Sequence, residues 1–77
     1  MNLNIAELGE KLATIHRDFP VGEKTTAIHL FGITYGSQLL HLSRPQLDAV
    51  AKAAGLNTVY GLELRKMAKL SKYVAAL

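Results

Sequence analysis

The chain has 77 residues, 49% of them hydrophobic and 19% charged, with no cysteine and a formal net charge of +3. That is enough for one domain over residues 1–77, because neither half could close a core alone, and the apolar content excludes intrinsic disorder. Without cysteine there is no disulfide framework, thiol nucleophile or thiolate-bound zinc.

The first predicted helix runs from Ile5 to Arg17. Ile5, Leu8, Leu12 and Ile15 recur at helical spacing, with Glu7, Glu10, Lys11 and Arg17 mostly around the other side. Asn4 and Glu7 have the form of a capping box with asparagine as the cap. Asp18-Phe19-Pro20 stops the helix, since proline disfavours helical geometry in the residue before it.

The second segment is predicted from Glu23 to His41. Ile28, Phe31, Tyr35, Leu39 and Leu42 form one stripe, and Leu30, Ile33 and Leu40 lie towards another side. A helix apolar most of the way round belongs in the middle of a bundle or across a subunit interface. No Asp, Glu, Lys or Arg occurs from Thr25 through Ser43, but three threonines, two histidines, Ser37 and Gln38 interrupt the run, which argues against a membrane span. Gly32 and Gly36 each cost a helix about 1 kcal/mol relative to alanine. Their spacing puts both near one side, where another helix could approach closely. A continuous helix is the expectation; the alternative is a local break between the two glycines.

Ser43-Arg44-Pro45-Gln46 opens the third segment with a serine-to-glutamine capping box and a proline tolerated in the first turn. Leu47, Val50, Ala51 and Ala54 face inward, and Gly55 supplies a left-handed stop. Asn57 then has the character of an N-cap for a last segment from Thr58 towards Ala75.

The charge is unevenly placed. Up to Leu42, three basic residues face four acidic ones; from Ser43 onward, six basic residues face only Asp48 and Glu63. A basic end can attract phosphate or an acidic partner, or serve only as a solvated face.

Residues Ser43 to Lys66 resemble the helix-turn-helix of phage-repressor-type DNA-binding domains. Leu47 opens the inward face of the first helix, Ala51 takes the small crossing position and Gly55 the turn glycine. Leu56 is the apolar residue after the turn, Asn57 the cap, and Leu64 the inward residue late in the second helix. Small, poorly characterised bacterial proteins with an HTH-like domain are also similar, over His29-Leu30-Phe31-Gly32 and Lys69-Leu70-Ser71-Lys72-Tyr73-Val74 as well. The resemblance implies a small regulator that binds duplex DNA, as a homodimer if symmetric, with half-sites about 34 Å apart.

One position departs from the pattern: Gly61 stands where a branched apolar residue is usual. The pattern also turns Asn57, Thr58, Val59, Leu62, Glu63 and Lys66 outward. Val59 and Leu62 could touch thymine methyls and Glu63 could accept from cytosine, although an apolar, acid-containing face suits a protein contact at least as well. Read instead as one continuous helix, the last segment puts Thr58, Gly61, Arg65, Lys69 and Lys72 on a basic stripe. Such a stripe could run beside a phosphate backbone, with Gly61 allowing close approach. Tyr60, Leu64, Met67, Leu70 and Val74 would then be buried opposite. Glu63 would then project from the apolar side, a conflict that a bend near Met67 to Lys69 would remove.

Catalysis has little support. No two of His16, His29 and His41 lie three or four apart, as helical metal ligands would. Glu7 and Glu10 suit an exposed first turn. Ser37 and Ser43 lack a nucleophile elbow, and Gly32-x-x-x-Gly36 lacks the lysine of a phosphate loop. Tyr35, Tyr60 and Tyr73 read as packing residues.

The expected protein is all-α, a compact four- to five-helix bundle containing a helix-turn-helix. Its expected core is Ile15, Ile28, Phe31, Tyr35, Leu39, Leu47, Val50, Leu56 and Leu64. It is not an enzyme and takes no cofactor, metal or small-molecule substrate. Its DNA-binding residues are Asn57, Thr58, Arg65, Lys66 and Lys69. No basic-then-apolar leader opens the sequence, so a cytoplasmic location is expected. The second hypothesis is a protein-interaction module, docking a copy of itself or a larger protein through the second helix or the Val59–Leu62 surface.

Overall fold

The computed structural model describes residues 3–74. Among them are five helices and no strand: α1 (Ile5–Asp18), α2 (Lys24–Thr34), α3 (Gly36–Leu39), α4 (Arg44–Ala53) and α5 (Tyr60–Leu70).

Local chemistry sets most of the helix ends. At α1, the Asn4 side chain accepts from the Glu7 N–H at 2.8 Å, and the Asn4 N–H donates back to Glu7 at 3.0 Å. Ser43 and Gln46 make the same reciprocal pair at α4, at 3.3 and 2.8 Å. Each box gives partners to amides that the first helical turn leaves without one. Phe19 caps α1 in extended geometry, as a residue before proline should. A further stop was not visible in the sequence. The Lys24 ammonium reaches back to donate to the carbonyls of His16 (2.6 Å), Arg17 (3.3 Å) and Phe19 (2.5 Å). A cation at the negative end of the α1 dipole is favourable.

The expected continuous helix from Glu23 to His41 is corrected by the structure. It breaks at Tyr35, whose φ of −104° and ψ of 18° leave the helical region, and α3 follows as one short turn. The reason lies on α5. A Cβ on Gly32 would stand 2.5 Å from Met67 Cβ, and one on Gly36 would collide with Ser71 while touching Ala68. Both glycines therefore lay bare backbone on α5, as their spacing suggested, and the break at Tyr35 lets α3 rest there as well as α2.

α2 sits in the middle of the bundle, between α1 and α5, while α4 closes against both of those helices. The core consists of Leu8, Leu12, Ile28, Phe31, Leu39, Leu47, Val50, Leu64 and Ala68, all at most 1% exposed. Each large side chain among them contributes about 1.5–3 kcal/mol by leaving water. Ile15, Tyr35 and Leu56, expected inside, instead pack half-buried against this core. Tyr35 also meets Phe31 with ring centroids 5.0 Å apart. The apolar character of α2 is thus absorbed internally: Ala27, Ile28 and Phe31 are buried, and Leu30 and Ile33 are half-buried. The radius of gyration, 11.0 Å, is close to the ~11.5 Å expected of a compact chain of this length. No helix among the described residues is long and apolar enough to cross a membrane.

Candidate nucleic-acid interface

α4, the turn after it and α5 form the helix-turn-helix-like unit, and its turn is closed by backbone chemistry. Gly55 takes φ +80° just past the α4 cap. The Gly55 N–H donates to Lys52 O and the Leu56 N–H to Ala51 O, each at 2.9 Å. This paired bonding is a Schellman motif, which needs a residue free to adopt positive φ and leads the chain into the next helix. Leu56 then packs against the core from the wedge between the two helices.

Asn57 was expected to cap a helix beginning at Thr58. Its side-chain oxygen does accept a backbone N–H, from Val59 at 2.9 Å. The turn that follows is tighter than α-helical, with Tyr60, Gly61 and Leu62 donating three residues back to Asn57, Thr58 and Val59. The α-helix proper therefore starts at Tyr60, two residues later than expected. It ends at Leu70 without a bend at Met67 to Lys69, and Ser71 to Tyr73 form a turn. The expected end at Ala75 lies outside the described residues.

Gly61 has a different role from the one expected in the basic stripe. It is buried, and a Cβ there would collide with the Asp48 carboxylate and stand 2.9 Å from the Asp48 backbone nitrogen. Its bare backbone brings α5 close to α4 and is not open to a phosphate. The missing branched residue is thus compensated by nearness, not by a filled gap. Asp48 is held over the glycine by Arg44, whose Nε donates to Oδ1 at 2.8 Å.

Glu63 does not project outward with Val59 and Leu62. Its Oε1 lies 3.0 Å from His29 Nε2 on α2, and its Oε2 lies 3.3 Å from Lys66 Nζ. The hydrogen bond with His29, and then the one from Lys66, holds its carboxyl below the usual value of 4.5. It therefore stays ionised at neutral pH with its charge already matched. His29 is half-buried, as a packing histidine should be, and ties α2 to α5.

What remains outward on α5 is cationic and apolar. Arg65, Lys66 and Lys69 are exposed, as is Lys72 just beyond the helix; among the described residues only Lys66 of these four makes an ion pair. Arg65 and Lys69, one helical turn apart, flank a narrow apolar cleft walled by Leu39, Leu40, Leu42 and Leu47. Asn57 and Thr58 are exposed at the α5 start, with Val59 58% and Leu62 40% exposed next to them. The structure thus brings Arg65, Lys66 and Lys69 onto one helix and sets Asn57 and Thr58 at its entrance. Leu70 and Val74, which one continuous last helix would have buried, are exposed, as is Tyr73; Tyr73 and Val74 lie past the end of α5 at Leu70.

Sequence reasoning missed two of the contacts that shape this region, Asp48 over Gly61 and His29 on Glu63, as it missed Lys24 on the end of α1. The i,i+4 spacing of Arg44 and Asp48 was the only local signal for any of them. No three His, Asp or Glu side chains among the described residues are placed to share a metal ion.

A family model described as an HTH-like domain matches residues 4–76. No curated protein and no solved structure matches the chain significantly.

Proposed function

The chain belongs to the HTH-like domain family, and from that premise we propose that it is a small regulator that binds duplex DNA through α5. The observation that carries this reading is the charge on the outward side of α5. Arg65, Lys66 and Lys69 are exposed there and Lys72 just beyond it, while the one acid of the helix, Glu63, is engaged by His29 and by Lys66. A surface of cations with its acid already matched favours a polyanion. Arg65, Lys66 and Lys69 hold phosphates, which positions the helix, while Asn57 and Thr58 at its entrance lie nearest the base edges. The protein acts by binding and not by catalysis.

Salt dependence tests this reading. Each phosphate neutralised adds about 0.9 to the magnitude of the slope of log K against log salt. Fluorescence anisotropy of a labelled mixed-sequence duplex should therefore show a slope near −2.7 if the three cations each hold one phosphate, by the same rule. The Lys66→Ala/Lys69→Ala variant should bind more weakly, with a slope flatter by about 1.8. Unchanged affinity and slope in that variant would remove the assignment.

A second reading draws on the exposed Val59, Leu62 and Leu70, which give the same side of the molecule apolar contact area. In this reading α5 docks a second copy of the chain. Concentration-dependent dimerisation that Leu62→Glu abolishes, in a protein with no DNA affinity at low salt, would favour it.

A further inference from the structure

We propose that the base-facing part of α5 recognises thymine methyl groups, with Val59 and Leu62 as the residues that read them. The inference rests on the DNA-binding reading above and names the feature of DNA that this face selects.

The starting point is which side chains on the face have hydrogen-bonding capacity left. The Asn57 side-chain oxygen is occupied by the Val59 N–H. Both Glu63 oxygens are occupied, one by His29 and the other by Lys66. The Lys66 ammonium is drawn towards that carboxylate, along its own helix and away from a base edge. At the helix entrance the Asn57 amide N–H groups and the Thr58 hydroxyl keep hydrogen-bonding capacity; between them and the cations the exposed side chains are Val59 and Leu62, 58% and 40% exposed, both branched and both apolar.

Charge decides what such a pair can face. Arg65 and Lys69 flank it without an acidic partner among the described residues, so the surface as a whole complements a polyanion. Within the major groove, base edges offer donors, acceptors and one apolar group, the C5 methyl of thymine. Two apolar side chains brought there by phosphate contacts cover donors and acceptors at a cost everywhere except over thymine. Val59 and Leu62 are three residues apart across the tight turn that opens α5, which at a rise of about 2 Å per residue separates them by roughly 6 Å. That separation spans one to two base steps at about 3.4 Å each, so the pair meets methyl groups on neighbouring thymines.

Replacing thymine with deoxyuridine removes the methyl and leaves charge and base pairing in place. Losing one such group corresponds to roughly a fourfold change in affinity, and losing two to roughly fifteenfold. The experiment compares binding of the full chain to an alternating A·T duplex and to its deoxyuridine counterpart, by anisotropy at one fixed low salt. The expected result is binding of the thymine duplex about four- to fifteenfold tighter. Val59→Ala/Leu62→Ala, which alters only exposed side chains, should bind both duplexes alike. Equal affinity of the wild-type chain for the two duplexes overturns the inference and leaves the DNA-binding reading standing. A preference that persists in the double variant also overturns it, because the discrimination then comes from duplex shape. Binding to neither duplex removes the DNA-binding reading itself.

Discussion

Gly61→Ala asks whether the helix-turn-helix unit depends on close approach of α5 to α4. In an ordinary helix the substitution is stabilising, by up to about 1 kcal/mol. Here the new methyl collides with the Asp48 carboxylate and stands 2.9 Å from the Asp48 backbone nitrogen. The carboxylate can swing aside, but the backbone cannot, so the two helices must separate. Overpacking of this kind typically costs about 1–3 kcal/mol. Displacing Asp48 also loses its contact with Arg44, which as a half-buried i,i+4 pair adds about 0.3–0.5 kcal/mol. The net expectation is destabilisation of roughly 0.3–2.5 kcal/mol, with about 1.5 as the central value. In a domain of this size that central value lowers Tm by about 6–12 °C. Urea unfolding followed by far-ultraviolet circular dichroism measures the free energy. In an Asp48→Ala background the cost of Gly61→Ala should shrink by more than about 0.5 kcal/mol, the coupling expected of groups in contact. Stabilisation by Gly61→Ala in the wild-type background would refute the close approach.

Two further perturbations address contacts that the sequence concealed. Lys24→Met keeps an apolar stem but removes the donor from the carbonyls of His16, Arg17 and Phe19, and should cost about 1–2 kcal/mol in the same unfolding experiment; no loss would mean that the ammonium is not held there. Glu63→Gln tests the interhelical contact with His29 through its pH dependence. Because the folded-state pKa of Glu63 lies below 4.5, its contribution is fully present above that value and is lost as pH falls through the lower, folded pKa. Thermal scans should show wild type above Glu63→Gln by a constant margin near neutral pH that closes in acid; a margin that stays constant into strong acid would contradict the contact.

The elements set by short-range chemistry were legible in the sequence. The boxes at Asn4 and Ser43, the proline stop after Asp18 and the left-handed Gly55 each involve partners within a few residues. So was the inward stripe of α4, because Leu47, Val50 and Ala51 follow helical periodicity against strongly polar neighbours. What could not be read depends on distant partners. The break at Tyr35, between the two glycines, was the alternative and not the expectation, because what favours it is Gly36 lying on Ala68 and Ser71, some thirty residues away in sequence. Periodicity within a segment holds no record of that contact. The repressor-type pattern turned Glu63 outward and a continuous helix put it on the apolar side; the sequence could not choose, because the deciding contact is with His29, 34 residues earlier. Gly61 looked like a defect in the pattern and an opening for phosphate, because nothing local marks Asp48 as its cover. The cations fared better: long charged side chains on a helix remain at the surface under nearly any packing, so Arg65, Lys66 and Lys69 came out exposed on one element.

The central claim is that the outward side of α5 is a nucleic-acid surface. A residue-resolved NMR titration of labelled protein with mixed-sequence duplex DNA, at low and moderate salt, tests it most directly. The account predicts amide shifts concentrated between Asn57 and Lys72, shrinking as salt rises, with α1 undisturbed. No shifts at low salt, or shifts centred on α1, would contradict it.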